Sequence, residues 1–268
     1  MKLDPNNVYT MPFINGPVFG QDNPPRYEYP EIEVAALQYR TSSEAIRALL
    51  PECFMADEDN PLVWVAFYYN RGMEFMAGGE YRIGTVAVNA RFEGEEEQTN
   101  GSYVLVMFED KTDPIIGGRE QVGMPKIYGD ISAYKLLPDG TRRCEVSLYG
   151  HLLFGIDLRP MKKQNAIVRR AATGMLNKYP AFGYKYIGSI SGPPDASYPT
   201  KLTTEYALET LEVGKSGTLF FGNASALDVG QVSVGIEALK TLGVLEVVQT
   251  LHASGSSVLL YNKSGRLR

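Results

Sequence analysis

Short runs of apolar, β-branched and aromatic residues, separated by glycine, proline or charged clusters, recur along this chain and predict strands. Residues 32–39 read as one strand. Residues 62–69 form a continuous apolar and aromatic run, the mark of a strand buried on both faces. Residues 83–92 alternate, and 103–108 follow as a further strand across the acidic stretch 93–97, which reads as a solvated hairpin loop. Residues 144–149, 152–158, 182–191, 202–211, 219–221, 244–252 and 258–261 continue the set, with Gly255-Ser256 predicted as a turn between the last two. Residues 72–79 read as a flexible connection and Pro138-Asp139-Gly140 as a turn.

Helical signals are fewer. Thr41-Ser42-Ser43-Glu44 spells a capping box, a hydroxyl followed three residues later by a carboxylate, and predicts a helix over 44–50 that Pro51 closes. Asp113-Pro114 predicts a helix start with the aspartate as cap. That helix runs through Arg119 to about Val122, Gly123 ends it, and Lys126 falls on the exit loop or the first position of the next strand. Residues 162–175 read as a helix or an irregular crossover. Many strands, few helices and 27 glycines predict a mainly β (α+β) architecture that is closed or nearly closed. No linker or internal repeat divides the chain. The expectation is one domain over 1–268, with a proline- and aromatic-rich N-terminal arm over 1–30.

Composition narrows the functional classes. A net charge of −5 offers no basic footprint for nucleic acid. Cys53 and Cys144 are too few for a disulfide framework and read as free thiols of a reducing compartment. The N-terminus lacks an apolar signal region and no stretch approaches the roughly 20 apolar residues of a spanning helix, so the expectation is a cytoplasmic protein with no membrane partner. With only His151 and His252, a multi-histidine metal site is excluded, and no nucleophile elbow supports either as a catalytic base. No Walker loop or dinucleotide fingerprint occurs. Lys162-Lys163 and Arg169-Arg170 read as a solvated basic face.

One segment carries chemistry: Gly118-Arg119-Glu120-Gln121-Val122-Gly123-Met124-Pro125-Lys126. It resembles the segment of the acetoacetate decarboxylase superfamily in which Gly-Arg-Glu opens and Pro-Lys closes at the same spacing. Tyr39-Arg40-Thr41, Pro51-Glu52, Pro61-Leu62-Val63, Met175-Leu176 with Pro180, and His252 followed by 258–261 keep the family's order, so the resemblance covers roughly residues 30–262. It implies a closed β-barrel or cone with a few short helices, a homo-oligomer, and a Schiff-base lysine at Lys126 acting on a small keto acid. No cofactor is implied, because the iminium ion is itself the electron sink. The lysine must react as a free amine. A lysine of ordinary pKa, about 10.4, brought down by about 3 units forgoes roughly 4 kcal/mol of ammonium stabilisation; the activated lysine of acetoacetate decarboxylase is a standard case.

The chain also departs from the family pattern. Ile127 stands where a second lysine follows the nucleophile, Ile32 where an arginine is expected, and Ala66 where one of two glutamates falls; Glu80 matches the other. Lysine activation then leans on desolvation, to which Met124 and Ile127 contribute. The pattern resembles the pyruvate aldolase-dehydratases of the superfamily more than true acetoacetate decarboxylase. The resemblance implies Lys126 as nucleophile, with Glu80 and Glu120 as candidate proton-transfer groups. Arg119, Gln121, Met124, Tyr81 and Tyr261 are candidates for substrate binding. Two other readings stay open: a non-catalytic barrel holding a small apolar ligand, and a lysine-independent hydratase or isomerase.

Overall fold

The computed structural model describes residues 2–268. Its main elements, in chain order, are the strands β1 (Arg26–Arg40), β2 (Leu62–Met73), β3 (Gly79–Glu93) and β4 (Gln98–Glu109), the helix α1 (Thr112–Val122) and the strand β5 (Lys126–Tyr128). Then come β6 (Arg142–Leu148), β7 (His151–Leu158), α2 (Ala166–Leu176), β8 (Ala181–Ile187), β9 (Ala196–Leu202), β10 (Thr204–Gly214), β11 (Gly217–Phe221), α3 (Val232–Lys240) and β12 (Glu246–Leu260). The large sheet runs in the order Lys162–Lys163, β10, β12, β1, β2, β3, β4, β8, β9, Gly265–Arg266, with Phe54–Ala56 added to β3 and β5 added to β4. A smaller sheet runs Lys135–Leu136, β6, β7, β11, with Asp130–Ile131 against β6.

This order corrects the expectation of a closed barrel or cone. Closure demands that the first and last strands pair. Here the path ends on two-residue strands, Lys162–Lys163 and Gly265–Arg266, each bonded on one side only. The fold is a mixed α/β arrangement dominated by strands, with open sheets. Short edges carrying lysine and arginine blunt the exposed ladder against edge-to-edge pairing.

The core follows from strand alternation. Ala35, Leu37 and Tyr39 of β1, Val63, Val65 and Phe67 of β2, and Val86 and Val88 of β3 are buried in one cluster with Cys144 and Val146 of β6 and Phe154, Ile156 and Leu158 of β7. One face of the large sheet therefore packs on the small sheet. The opposite face carries the other half of the alternation and the features described below.

Several local expectations shift. Ser42, not Thr41, caps the first helix, its hydroxyl accepting from the Ala45 N–H, and that helix spans Ser43–Arg47. Asp113 lies inside the first turn of α1 rather than at its cap, where Lys111 stands. There its charge faces the positive end of the helix. Residues 72–79 are mostly ordered structure: β2 continues to Met73 and a 3-10 turn covers Glu74–Met76. Gly255-Ser256 is no turn. It is a bulge within the single long strand β12, whose register against β1 shifts between Gly255 and Ser257. The crossover at 162–175 resolves as α2, with Asn165 accepting from the N–H groups of Ile167 and Val168. Among the described residues no helix is long and apolar enough to cross a membrane.

Candidate active site

The segment singled out in the sequence forms a compact βαβ unit. β4 ends at Glu109, α1 covers Thr112–Val122, and β5 returns parallel to β4, with Met107 opposite Lys126 and Glu109 opposite Tyr128. Gly123 adopts the left-handed conformation, φ 69° and ψ 29°, and donates its N–H to the Gly118 carbonyl, which stops the helix. Lys126 follows as the first residue of β5.

The lysine side chain lies back across α1. A Cβ on Gly118 would come within 2.4 Å of Lys126 Cδ and Cε and 2.7 Å of Nζ. Glycine at this position is therefore the seat of the lysine. Arg119, an exposed residue, donates from Nη1 to the Lys126 carbonyl at 3.0 Å and clamps the backbone just where the side chain departs. Nζ donates to the Pro114 carbonyl at 3.0 Å and lies 2.8 Å from Glu109 Oε1. The lysine side chain is 11 % exposed and that of Glu109 is wholly buried.

Glu109 was not among the residues singled out from sequence. Desolvation pushes its carboxyl above the ordinary range, and the charge of Lys126 partly offsets that. Despite the short separation, the approach of Nζ is poorly aligned for hydrogen bonding, and neither carboxylate oxygen has an aligned partner among the described residues. A buried carboxyl with unmet acceptors, next to an amine, is suited to receiving and returning a proton. The signal in the sequence was an acid at the end of the apolar run 103–108, two positions from Met107 and so on the same face of the strand.

The rest of that face comes from strands remote in sequence. Ala66, Thr85, Met107 and Lys126 form one transverse row across β2, β3, β4 and β5. Tyr68, Ile83 and Glu109 form the next, and Ile32, Asn70 and Tyr81 the one after. Ile32 and Ala66, the two positions where charge was expected and is missing, thus share the lysine's face. Ile127 alternates to the other face, opposite Phe108, and packs on the core between the sheets.

Of the remaining candidates, Met124 is 1 % exposed and packs with Val122, Val104, Met107 and Tyr261. Gln121 lies three residues after Gly118, on a neighbouring strip of the helix, and its Oε1 is buried with no hydrogen-bond partner among the described residues. Tyr81 donates to the Tyr29 hydroxyl at 3.1 Å. Burial raises both phenols, Tyr29 to about 12 and Tyr81 well above its ordinary value, and the charge of Glu109 adds to both shifts. Tyr261 belongs to the same wall: it packs edge-on against Tyr27 and Phe19, and Tyr27 and Tyr81 both pack against Phe75.

Glu80 and Glu120 are placed apart from the amine. Glu80 alternates with Tyr81 and so points to the opposite side of β3, where its carboxylate lies 3.4 Å from Arg82 and 3.8 Å from Arg71. Glu120 is two residues from Gly118, hence on the far side of α1, and accepts the Met11 N–H of the N-terminal arm at 3.2 Å. His252 pairs with Glu33 at 2.9 Å on the core-facing side, and His151 stands exposed near Asp228.

The family model for acetoacetate decarboxylase (ADC) matches residues 10–262. Acetoacetate decarboxylase of Chromobacterium violaceum is 32 % identical over 198 residues, 70 % of this chain and 69 % of that protein. A match to acetoacetate decarboxylase 1 of Bradyrhizobium diazoefficiens, 36 % identical, spans 47 % of this chain and 46 % of that protein's length. Among solved structures, acetoacetate decarboxylase of Legionella pneumophila aligns over 100 % of this chain and 98 % of its own, with TM-score 0.73 and 19 % identity. The enduracididine biosynthesis enzyme MppR aligns over 100 % and 98 %, with TM-score 0.71 and 16 % identity. At such identities the structural likenesses speak for the fold.

Proposed function

The chain belongs to the acetoacetate decarboxylase family, and from that premise we propose that it is a Schiff-base-forming carbon–carbon lyase acting on a small keto acid through Lys126, of the aldolase-dehydratase type. The observation that carries this reading is an amine only 11 % exposed, seated on a glycine and 2.8 Å from a wholly buried carboxyl. Family membership supports a lyase-type role by itself.

Lys126 Nζ attacks the ketone carbon as a free amine. Glu109, whose acid form burial favours, gives its proton to the ketone oxygen during the attack, takes one from the nitrogen and passes it to the carbinolamine hydroxyl, so that water leaves, an iminium ion remains and Glu109 is left as the carboxylate. Loss of a proton from the neighbouring carbon gives a neutral enamine. The enamine carbon adds to an aldehyde, a second dehydration forms the carbon–carbon double bond, and hydrolysis frees the lysine. Gln121 Oε1, buried and unmatched, accepts from a substrate hydroxyl. The phenols of Tyr81 and Tyr29, one donating to the other, supply a neutral donor wall for the aldehyde-derived oxygen.

The aldolase-dehydratase type is preferred because Ile32 and Ala66 leave the face around the amine without the arginine and the glutamate of the decarboxylase pattern, and Ile127 stands in place of its second lysine. MppR has been solved with pyruvate and with the condensation product of pyruvate and imidazole 4-carboxaldehyde, which is the reaction type proposed here.

The test is trapping. Incubation with pyruvate and sodium borohydride should add a reduced adduct to the peptide containing Lys126, and Lys126→Ala should acquire none. Carbon dioxide release without condensation would reassign the chain to the decarboxylases. Full turnover by Lys126→Ala would remove the lysine from the chemistry altogether.

A further inference from the structure

Asn70 lies on the face of the large sheet that carries the lysine, in one row with Ile32 of β1 and Tyr81 of β3. It is 3 % exposed, and its Nδ2 has no hydrogen-bond partner among the described residues. Neither neighbour serves it. Ile32 carries no polar atom in its side chain, and Tyr81 is engaged with the Tyr29 hydroxyl at 3.1 Å. An unmatched buried donor opposes folding, and an apolar side chain of the same shape would be neutral or stabilising in its place. The amide therefore adds nothing to the fold by its own hydrogen bonding, and it waits for an acceptor.

The register places that donor at a definite remove from the amine. Asn70 is two strands and one row from Glu109, whose carboxyl lies 2.8 Å from the lysine nitrogen. With strands about 4.8 Å apart and same-face residues about 6.8 Å apart along a strand, the backbone separation is about 12 Å. An iminium on Nζ, extended by two carbons and one six-membered ring, bridges a gap of this order. The side chains between are uncharged. Tyr81, Ile83 and Met73 form a buried cluster on which Tyr68, Met76 and Met107 pack. Thioethers are adaptable filling that gives way to a ring. The charged neighbour in sequence, Arg71, is held by Glu31 at 2.7 Å.

We propose that Asn70 sets the specificity for the second substrate: its amide N–H donates to a neutral acceptor atom at the far end of the aldehyde, one six-membered ring away from the carbon that bonds to the enamine. The proposal rests on the aldolase-dehydratase reading above and adds to it the class of aldehyde selected. An aldehyde without that acceptor leaves the buried amide unmatched in the complex and is disfavoured for that reason.

Pyridine-4-carboxaldehyde and benzaldehyde test this, because they share one shape and differ in a ring nitrogen against a C–H at the far position. The measurement is the ratio of their kcat/KM values with pyruvate as co-substrate, in wild type and in Asn70→Leu. Unequal intrinsic reactivity cancels, since each aldehyde is compared with itself across two enzymes. The ratio should fall at least fivefold in Asn70→Leu, with KM for the pyridine compound rising and that for benzaldehyde falling. Asn70→Ser, whose hydroxyl is too short to reach the acceptor, should lower the ratio likewise and serves should the leucine variant not fold. A pyruvate adduct on wild-type Lys126 together with a ratio unchanged by both substitutions, or with no condensation of either aldehyde, would overturn this inference alone. Absence of the adduct from wild type would overturn the reading on which it rests, and the inference with it.

Discussion

At the scale of single residues, two substitutions separate the proton acceptor from the seat of the amine. Glu109→Gln keeps volume and removes the acid. Turnover should fall by about 10²–10⁴-fold, and borohydride trapping at Lys126 should slow with it, in steady-state and single-turnover measurements. Gly118→Ala tests the seat. The new methyl meets the flexible end of a side chain, not backbone, so the helix persists while the amine is displaced. A displacement near 1 Å at a reacting centre costs on the order of 100-fold. The expected outcome is a thermal midpoint close to wild type and a large loss of trapping; unchanged trapping would refute the seat. Lys126 was legible in the sequence through its spacing from Gly118 and Arg119. Glu109 was not, because the end of an apolar run followed by Asp110-Lys111 reads as the entry to a polar turn. Only the pairing of β4 with β5 puts this acid beside the lysine.

At the scale of elements, α1 and its exit decide where β5 begins. Gly123 holds φ at 69°, and a Cβ there would sit 2.4 Å from the Lys185 Cβ of β8. Gly123→Ala should cost at least ~1–2 kcal/mol from the left-handed backbone alone, read as a lower urea midpoint. The added contact with β8 should make the loss larger than that. Elements whose periodicity matched their burial were readable: β2 as an apolar run, β3 by alternation, α1 by its glycine stop. Three were not. The turn at Gly255-Ser256 is a bulge, since the same residues that end a strand also kink one. β9 (Ala196–Leu202) carries Pro199 and lies near the sheet's edge, so its pattern is diluted. α3 holds Ser233 and Gly235 among its apolar residues and lacks a side-chain cap, leaving no start signal.

At the scale of the molecule, the strand-dominated class was readable and the closure was not, because closure depends on whether two distant edges meet, which no local period encodes. Long-range ties between distant strands also set the response to acid. The hydrogen bond from His252, followed by the charges of His252 and Arg71, holds Glu33 below the ordinary carboxylate range. A lowered carboxyl stabilises the fold above its unfolded-state value, near 4.5, and that contribution is lost as pH falls through the folded-state value. Glu33→Gln should therefore be less stable than wild type near neutrality, with the gap closing in acid. A constant gap across the range would show that packing, not charge, accounts for the difference.

The lysine, the glycine beneath it, the arginine gripping its carbonyl and the proline carbonyl receiving its amine all fall between Pro114 and Lys126, with Glu109 just ahead. The groups opposite them come from β1, β2 and β3, far away along the polypeptide. On the proposed chemistry, reactivity and selectivity are written on different stretches of the gene. Exchanges at Ile32, Ala66 or Tyr81 can remodel what the amine meets while its mounting stays intact, which makes those three sites the place to begin in redirecting this scaffold toward another acid.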